Sequence, residues 1–457
     1  MSDLFAARAQ MAISLGFHIL FAVAGMAMPL LMVLAEWRWL RRGEAHAKEL
    51  AQRWSKGTAI LFAVGAVSGT ALSFELGLLW PEFMRHAGPI VGMPFSLEGF
   101  AFFLEAIFLG LYLYGWQRLP PWLHLAAGAG VFAMGMASGA FVVCANAWMN
   151  SPAGFTLAAG KTMAEGGVMA IDPWAAMFNP AAPSQVLHML IASLEAVGFA
   201  VAGIHAWALL RDPRSPLHRL AFQLALTVGG VAAVVQPLSG HLSADHVAHE
   251  QPVKLAAMKG HFHTARGAAY HFGGWPDVEA AETRGSLEIP WLLSLLAFSD
   301  PNAEVVGLTA FPREVWPPVP VVFWAFQIMV GCGMALAGLA ALFALLSWRR
   351  RALPLEPWLL RLCVLCAPLG LVALEAGWTV TEVGRQPWIV RGHLRTADAV
   401  TAMPNLWAPL LTFVVLYLVL GVVAAAMLRR HVFGVAPALG GAPPLASDAD
   451  GEALDGH

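Results

Sequence analysis

Six ionisable side chains and one thioether lie inside long apolar stretches of the sequence. They are His18, Glu98, Glu105, His188, Glu195, Glu375 and Met329. Ionisable groups are costly in hydrocarbon, so each is a candidate functional residue. Imidazole and thioether groups are ligands for haem iron. The same residue types also hold protons or cations in transporters, so the residues alone leave a metal-binding and a transport interpretation open.

Taken singly, each residue also has a packing explanation. A lone histidine in a membrane helix is about as often a hydrogen-bonded packing residue as a ligand, and a lone methionine is more often core filler. Glu98 and Glu105 are seven residues apart, so they share one helix face about 10 Å apart along its axis, which suits a proton relay. The functional interpretation rests on depth, because five separate spans each place a candidate in the outer half of the membrane.

The composition predicts an integral membrane protein. Of the 457 residues, 58% are hydrophobic and only 12% are charged, against about 25% charged in soluble domains. Nine apolar stretches reach the roughly 20 residues needed to cross the hydrocarbon core. They are 11–35, 57–80, 97–116, 123–148, 185–210, 217–240, 319–347, 357–381 and 405–428. None alternates with a period of two, so the predicted fold is all-α, a polytopic bundle of nine transmembrane helices.

Lysine and arginine residues predict the orientation of the bundle. Of the 27, 16 fall in mostly short loops on one side, which the positive-inside rule makes cytoplasmic. The N-terminus is then periplasmic and the C-terminus cytoplasmic. Four regions follow: spans one to six in 1–240, a long periplasmic loop in 241–318, the last three spans in 319–432, and a disordered cytoplasmic tail in 433–457. A loop as long as the second region is usually functional or disordered.

The charge, the cysteines and the loop histidines provide no further candidate site. The net charge of −2 provides no basic face for nucleic acid. The four cysteines lie in apolar runs and indicate no disulfide framework, and Cys363-x-x-Cys366 is expected to pack. The histidine-rich outer loop fits no closed zinc pattern, so it is expected to be solvated. Arg385, just outside the candidate layer, suits either a cofactor carboxylate or a lipid headgroup.

Several motifs in this order resemble the first subunit of the cytochrome bd quinol oxidases, especially the cyanide-insensitive branch. They cover nearly the whole chain and comprise Arg8-x-Gln10 before His18, Leu97–Glu105, Ala145–Met149, His188, Lys254–Ala257, Phe326–Val330, Glu375–Trp378 and Gly384–Trp388. The last, Gly-Arg-Gln-Pro-Trp, is the most specific. The resemblance implies a quinol:oxygen oxidoreductase of the bacterial inner membrane, which oxidises quinol at the periplasmic side and reduces oxygen to water.

The resemblance also implies roles for individual residues. His188 and Met329 correspond to the axial pair of a low-spin haem b, and His18 and Glu375 to ligands of two high-spin haems. The remaining assignments are Glu98 and Glu105 in proton delivery, Lys254 in quinol binding, and Arg8, Asn146, Trp378 and Arg385 around the haems. The implied cofactors are two haem b and one haem d, or a third haem b in place of haem d. The implied partners are a second membrane subunit and a small single-span subunit.

Three departures from the better-studied members of the family stand out. Lys259 occupies a position where those members have glutamate, and Gln327 one where they have arginine. The long outer loop is also of the short type, which lacks a long C-terminal insertion.

The alternative function is a haem-free secondary transporter with buried carboxylates. Such transporters usually carry an internal repeat, and the sequence shows none.

Overall fold

A computed structural model describes residues 2–433 of the chain. The predicted tail, 433–457, lies outside the described residues except for Phe433. The helices are α1 (Asp3–Arg42), α2 (Ala45–Leu79), α3 (Pro81–Tyr114), α4 (Pro121–Asn150), α5 (Pro173–Met177), α6 (Ala182–Arg211), α7 (Pro216–Glu250), α8 (Pro252–Lys259), α9 (Leu292–Phe298), α10 (Val319–Arg350), α11 (Pro357–Cys366), α12 (Leu369–Val383), α13 (Thr396–Ala399) and α14 (Trp407–Leu428), the last continued by a π-helical turn, Arg429–Phe433.

Nine helical segments within residues 2–433 are long and apolar enough to cross a membrane, which confirms the prediction from hydropathy. They are α1, α2, α3, α4, α6, α7, α10, the pair α11–α12, and α14 with its π-helical turn. The eighth segment is interrupted between Cys366 and Leu369. Pro368 lies in this gap and lacks the N–H that a continuous helix needs, which explains the break.

Two helices extend well beyond the apolar stretches that predicted them. α3 begins at Pro81 rather than near 97, and α7 continues to Glu250 rather than ending at 240. The added residues of α7 are mostly polar but include neither glycine nor proline, so the helix continues through them. It ends where Gln251 precedes Pro252, because proline disfavours helical geometry in the residue before it. The long loop therefore begins at 251.

Consecutive membrane helices are joined alternately at two ends of the bundle. We call one the basic end, formed by the short turns 43–44, 115–120, 212–215 and 351–356. The opposite loop end carries the longer segments 151–181, 251–318 and 384–406. Small residues allow close helix packing: a Cβ added to Gly198 of α6 would lie 2.5 Å from the Cα of Gly229 in α7. Such contacts are typical of membrane helix interfaces.

The segments at the loop end are ordered by short antiparallel ribbons. The strands are β1 (Thr156–Leu157), β2 (Val168–Met169), β3 (Ala265–Arg266), β4 (Tyr270–Phe272), β5 (Trp275–Asp277), β6 (Glu282–Arg284), β7 (Leu287–Ile289), β8 (Glu304–Val305), β9 (Trp388–Val390) and β10 (Leu394–Arg395). They pair as β1–β2, β3–β8, β4–β7, β5–β6 and β9–β10. The 251–318 loop thus carries its own packed core, in which Leu293 and Val305 are fully buried.

Candidate functional site

The imidazole of His18, on α1, is held by the neighbouring helix α2. Its Nδ1 lies 3.0 Å from the Oγ of Ser68, and that hydroxyl donates to the Val64 carbonyl at 2.9 Å. Because the serine proton is used there, the serine oxygen is left to accept from the Nδ1–H of His18. The lone pair of Nε2 is then available to a metal. A Cβ added to Gly69 would lie 2.9 Å from Cε1 of the ring, so the ring rests on bare backbone.

The imidazole of His188, on α6, is held in the same way by α7. Its Nδ1 lies 3.0 Å from the Oγ of Ser239, which donates to the Gln236 carbonyl at 2.9 Å. A Cβ added to Gly240 would lie 3.3 Å from Cε1 of the ring. The amide nitrogen of Gln236 donates to the His188 carbonyl at 3.2 Å and also lies 3.3 Å from Nε2.

Each candidate histidine therefore has a Ser–Gly pair on the adjacent helix, Ser68–Gly69 and Ser239–Gly240. The serine fixes the ring tautomer and the glycine admits the ring close to the backbone. The sequence analysis did not identify these pairs. The signal was present, since Ser–Gly occurs within an apolar span in both cases, but the helix that each pair faces is not readable from one sequence.

Helix α12 lies between the helices that carry the other candidate ligands. A Cβ added to Gly16 of α1 would lie 3.4 Å from Oε2 of Glu375, which puts this carboxyl beside the turn that carries His18. On the α10 side, a Cβ added to Gly377 would lie 3.1 Å from the sulfur of Met329. The structure thus brings Met329, Glu375 and the His18 turn around one helix segment. Oε1 of Glu375 is buried and has no hydrogen-bond partner among the described residues.

A polar network joins the loop end of α12 to α4. Glu382 accepts a short hydrogen bond from the amide of Asn146 and a 2.6 Å bond from Nη2 of Arg385. Arg385 is only 4% exposed, and its Nε and Nη1 atoms have no partner within residues 2–433. A buried guanidinium with two free donors is suited to a carboxylate ligand. Asn146 and Arg385 were predicted from the sequence. Glu382 was not, although it is seven residues after Glu375 and hence on the same helix face.

Lys254 connects the loop helix α8 to this network. Its Nζ donates to Oδ1 of Asn150 at 2.5 Å, and the Asn150 amide donates to the Asn146 carbonyl at 3.1 Å. Arg391 clamps the same corner by donating to the carbonyls of Asn150 at 2.6 Å and Glu250 at 2.5 Å. Lys254 is 5% exposed, and burial lowers its pKa to about 7. A buried amine that titrates near neutral pH can both donate and accept a proton.

Two of the three departures noted in the sequence, Lys259 and Gln327, lie close together. The Nζ of Lys259 is 3.6 Å from the ring centre of Phe326 and 4.5 Å from that of Tyr270, a double cation–π contact. Burial lowers the pKa of Lys259 to about 7. Gln327 follows Phe326 on α10 and donates to the His271 carbonyl at 2.8 Å. Both changes therefore fall where the loop packs on the helix that carries Met329.

The three other candidate carboxyls, Glu98, Glu105 and Glu195, lie apart from the group formed by Met329, Glu375 and the His18 turn. Glu105 is buried between α1 and α4, where Cβ atoms added to Gly25 and Gly135 would lie 3.5 and 3.2 Å from its Oε1. Glu195 is buried, and its Oε1 has no partner among the described residues. Glu98 is half-buried on α3, about 10 Å along the axis from Glu105.

Two residues predicted to lie around the haems, Arg8 and Trp378, are not part of the polar network of Glu382 and Arg385. Arg8, expected near a haem, is exposed. Trp378 is half-buried beside the core of the bundle. Within the described part of the chain, no group of three or more histidine, cysteine or acidic residues is arranged to hold a metal ion. Four of the six histidines in the stretch 241–271 make hydrogen bonds with protein groups. His261 is buried, contrary to the expectation of a solvated loop, and lies 3.1 Å from the Val305 carbonyl.

The donor set fits haem better than a bare metal ion. Imidazole and thioether groups are axial ligands of haem iron. His18, His188 and Met329 lie on three different helices, and within the described residues they form no single closed metal site. Arg385 offers buried, unpartnered donors of the type that bind a propionate. Glu375 offers a buried carboxyl oxygen without a partner. These features are consistent with several separately ligated porphyrins.

The chain is similar to known proteins over nearly its whole length. A family model described as "Cytochrome bd terminal oxidase subunit I" matches residues 6–434. The chain is 33% identical over 449 residues to "Cytochrome bd ubiquinol oxidase subunit 1" of Bacillus subtilis, covering 94% of each chain. It is 28% identical over 464 residues to "Cytochrome bd-II ubiquinol oxidase subunit 1" of Escherichia coli, covering 87% of this chain and 89% of the relative.

The fold has a close counterpart among solved structures. The bd oxidase from Geobacillus thermodenitrificans aligns with a TM-score of 0.87 and 39% sequence identity. The alignment covers 94% of this chain and 98% of that one. The whole membrane bundle, rather than one part of it, therefore has this likeness.

Proposed function

Because the chain belongs to the cytochrome bd terminal oxidase subunit I family, we propose that the Ser–Gly sites around His18 and His188, called the histidine seats below, hold haems. The protein is a multi-pass subunit of a terminal quinol oxidase in the bacterial cytoplasmic membrane. His188, with Met329, ligates the low-spin haem b, and His18 ligates a high-spin haem. The observation that carries this assignment is the repeated Ser–Gly pair, whose serine lies against Nδ1 of each ring and leaves Nε2 as the nitrogen that would face a metal. The transporter alternative has no support in these likenesses.

A carboxyl of α12 ligates the other high-spin haem. Glu375 is favoured because its Oε1 is buried without a partner. Glu382 is the second candidate, because it lies on the same face and next to Arg385. Arg385 and Asn146 then hold propionate and carboxyl groups at the loop end, with Trp378 between the two candidate carboxyls. Arg8, which is exposed, would reach a propionate only from the surface.

The cofactors proposed are two haem b and one haem d, with a third haem b as the alternative to haem d. When bound, the haems accept single electrons from quinol and reduce oxygen. The chain positions them by imidazole, thioether and carboxyl ligands on α1, α6, α10 and α12. Pyridine haemochrome analysis of the purified oxidase decides between the two compositions.

Quinol binds at the loop end, which is periplasmic by the positive-inside rule. Lys254 contacts the quinol hydroxyl there and passes its proton outward, because its amine titrates near pH 7. Protons for water formation come from the basic end, which is cytoplasmic, and pass Glu105 and Glu98. Moving one charge across the membrane field is worth about 2.3 kcal/mol per 100 mV, so the reaction builds potential without a pump.

The proposed complex contains a second membrane subunit and a small single-span subunit. Large apolar side chains of α3, such as Phe100 and Phe103, are more than two-thirds exposed on the isolated chain and face lipid or such a subunit. Co-purification with the tagged chain tests this composition.

The ligand assignment is tested by spectra of single variants. We expect His188→Ala and Met329→Leu to remove the low-spin haem b bands, and His18→Ala to remove high-spin bands only. Glu375→Gln and Glu382→Gln, compared in parallel, identify the ligating carboxyl as the one whose loss removes a high-spin haem. Glu288→Gln, in the exposed part of the loop, is the control. A full haem complement in His18→Ala and His188→Ala would overturn the assignment.

A further inference from the structure

A buried lysine lies where the 251–318 loop packs on α10. Lys259 is the last residue of α8, and Gly260 follows it in the left-handed conformation, with a φ of 59°. A Cβ added to Gly260 would lie 3.2 Å from the ring of Phe323 on α10, and the Thr283 hydroxyl donates to the Gly260 carbonyl at 2.7 Å. Glycine is the residue that suits this φ and this close approach. The backbone beside Lys259 is therefore fixed against α10.

The Lys259 amine lies between two aromatic rings and has no anionic partner within the described part of the chain. Lys259 is 6% exposed, and its Nζ contacts the rings of Phe326 and Tyr270. Burial alone lowers its pKa, and no charged side chain contributes to the shift. Lys254, on the same helix, instead donates to Asn150. Because buried charges in proteins are normally paired, the Lys259 ammonium needs an anion that the described residues do not supply.

The ammonium and the candidate ligand Met329 lie along one face of α10. Val322, Phe326 and Met329 are spaced by four and three residues, so they follow one another on one side of this helix. All three pack in the core of the 251–318 loop. Phe326 is about 4.5 Å nearer the loop end than Met329 along the helix axis. Because the Lys259 amine covers the Phe326 ring, its charge lies on the loop side of the Met329 side chain.

The charges at this corner differ from those of the better-studied family members. Where those members have glutamate and arginine, this chain has Lys259 and Gln327. A glutamate and an arginine together are neutral, whereas Lys259 and Gln327 together carry one positive charge. Gln327 donates to the His271 carbonyl at 2.8 Å and adds no charge. Of these two positions, the loop helix α8 therefore carries the cation, and α10 does not.

A positive charge beside a haem favours the reduced state of that haem. Reduction adds one electron, and a nearby cation stabilises the added negative charge, more strongly where water is excluded. An ammonium also donates charge-assisted hydrogen bonds to a carboxylate, the group that a haem carries on its propionates. Lys259 offers both properties on the loop side of Met329.

We propose that Lys259 pairs with a propionate of the low-spin haem b and supplies a positive charge that raises the reduction potential of this haem. This inference rests on the proposed function, in which His188 and Met329 ligate that haem. The rings of Phe326 and Tyr270 hold the ammonium against α10, because aromatic faces attract a cation. Lys259 makes or breaks no bond in this role; it sets the driving force for electron transfer from quinol to the low-spin haem.

Redox titration of the low-spin haem in the purified oxidase tests this inference. The haem spectrum is followed against the applied potential at about pH 6, below the pKa of about 7 of the Lys259 amine. We expect Lys259→Met to lower the equilibrium constant for reduction by about tenfold, which is about 59 mV for a one-electron couple. Lys259→Arg keeps the charge and is expected to stay close to the unmodified value. Lys161→Met removes an exposed lysine and is expected to cause no shift.

A second substitution separates the charge from a purely structural cation–π contact. When Lys259→Met is combined with Gln327→Arg, a guanidinium on α10 returns a positive charge to the same corner, although the contact with Phe326 and Tyr270 is still missing. We expect about half or more of the lost potential to be recovered, because the Coulomb interaction depends on distance and not on which helix carries the charge. A purely structural role of Lys259 predicts no recovery.

The outcomes distinguish this inference from the proposed function. A bound low-spin haem with an unchanged potential in Lys259→Met overturns the inference, and so does a lowered potential that Gln327→Arg does not restore. The absence of a low-spin haem from the unmodified protein would contradict the proposed function instead. If Lys259→Met does not assemble, Lys259→Gln, which is neutral but keeps a polar end, decides by the same titration.

Discussion

The Nζ of Lys254 lies 2.5 Å from Oδ1 of Asn150, and this contact ties the loop helix α8 to the end of α4. From Asn150 the hydrogen bonds continue to Asn146 and then to Glu382 on α12. The Lys254 amine is thereby linked to the polar network beside Arg385. The loop is not an independent lid but is fixed to the membrane bundle at a polar corner.

Loss of this contact should weaken quinol binding more than it affects the haems. In Asn150→Ala the Lys254 amine loses the one hydrogen-bond acceptor it has within residues 2–433, so the loop helix is held less firmly. We expect the KM for quinol to rise by about tenfold, the loss of roughly 1.4 kcal/mol, with haem spectra unchanged. Steady-state oxygen consumption measures this. Asn302→Ala, in an exposed part of the loop, is the control, and an equal change in both variants would contradict the expectation.

Docking of the loop should strengthen as the pH rises above neutral. Burial lowers the pKa of Lys254 to about 7, whereas the usual lysine value is about 10.4. Between these values the undocked loop binds more protons than the docked one, so raising the pH favours the docked state. Burial shifts the pKa of Lys259 in the same direction. Below about pH 7 both states are protonated and the dependence disappears.

Hydrogen exchange in α8, corrected for its intrinsic pH dependence, measures this effect. We expect protection to increase from pH 7 to pH 9. Lys254→Met should reduce the slope, while Lys161→Met, at an exposed lysine of the 151–181 segment, should leave it unchanged. A slope that is the same in Lys254→Met as in the unmodified protein would show that this amine is not the titrating group.

The glycines of the histidine seats should be intolerant of a methyl group. In Gly69→Ala the new Cβ would lie 2.9 Å from Cε1 of His18, and in Gly240→Ala 3.3 Å from that of His188. We expect the first to lower high-spin haem content by half or more and the second to perturb the low-spin bands more mildly. Gly77→Ala on α2 meets nothing within 4 Å and Gly230→Ala on α7 only an ordinary contact. Normal haem spectra in all four variants would contradict the role of Gly69 and Gly240 in positioning the two histidine rings.

Arg385 should be sensitive even to conservative replacement. Its Nη2 binds Glu382 while Nε and Nη1 remain available to a second acid. Arg385→Lys keeps the charge but loses the fork of donors, and Arg385→Gln loses both. We expect haem retention during purification to fall by about tenfold for lysine and further for glutamine, measured as haem per protein. Arg266→Lys, on the exposed ribbon β3, is the control; equal retention in all variants would exclude a propionate role.

The membrane spans were predictable because hydropathy is a local property of the sequence. The exact helix ends were not predictable from hydropathy. α7 continues to Glu250 although its last residues are polar, because what ends it is Pro252 rather than loss of hydrophobicity. The break before Leu369 was likewise hidden, since Pro368 lies within an uninterrupted apolar run.

The candidate site was predictable only for residues that are unusual where they stand. His18, His188 and Glu375 were identified because ionisable groups are rare in apolar spans. Their partners are ordinary residues such as Ser68 and Ser239, which become significant only when two helices meet. Glu382 was not predicted because it lies near the end of its helix, where charge is common, and its burial depends on packing that one sequence does not reveal.

The interruption of the eighth segment has a mechanical consequence. Ala367 packs against Gly203 of α6, and Gly370 packs against Ala196 of the same helix, at distances that leave no room for a Cβ on either glycine. Helices α11 and α12 therefore both pack against α6, so the interruption frees neither of them from the bundle. Because α6 carries His188 and α12 carries Glu375, the contact between Gly370 and Ala196 sets the spacing of these two side chains directly, and the break at Pro368 lies outside that connection.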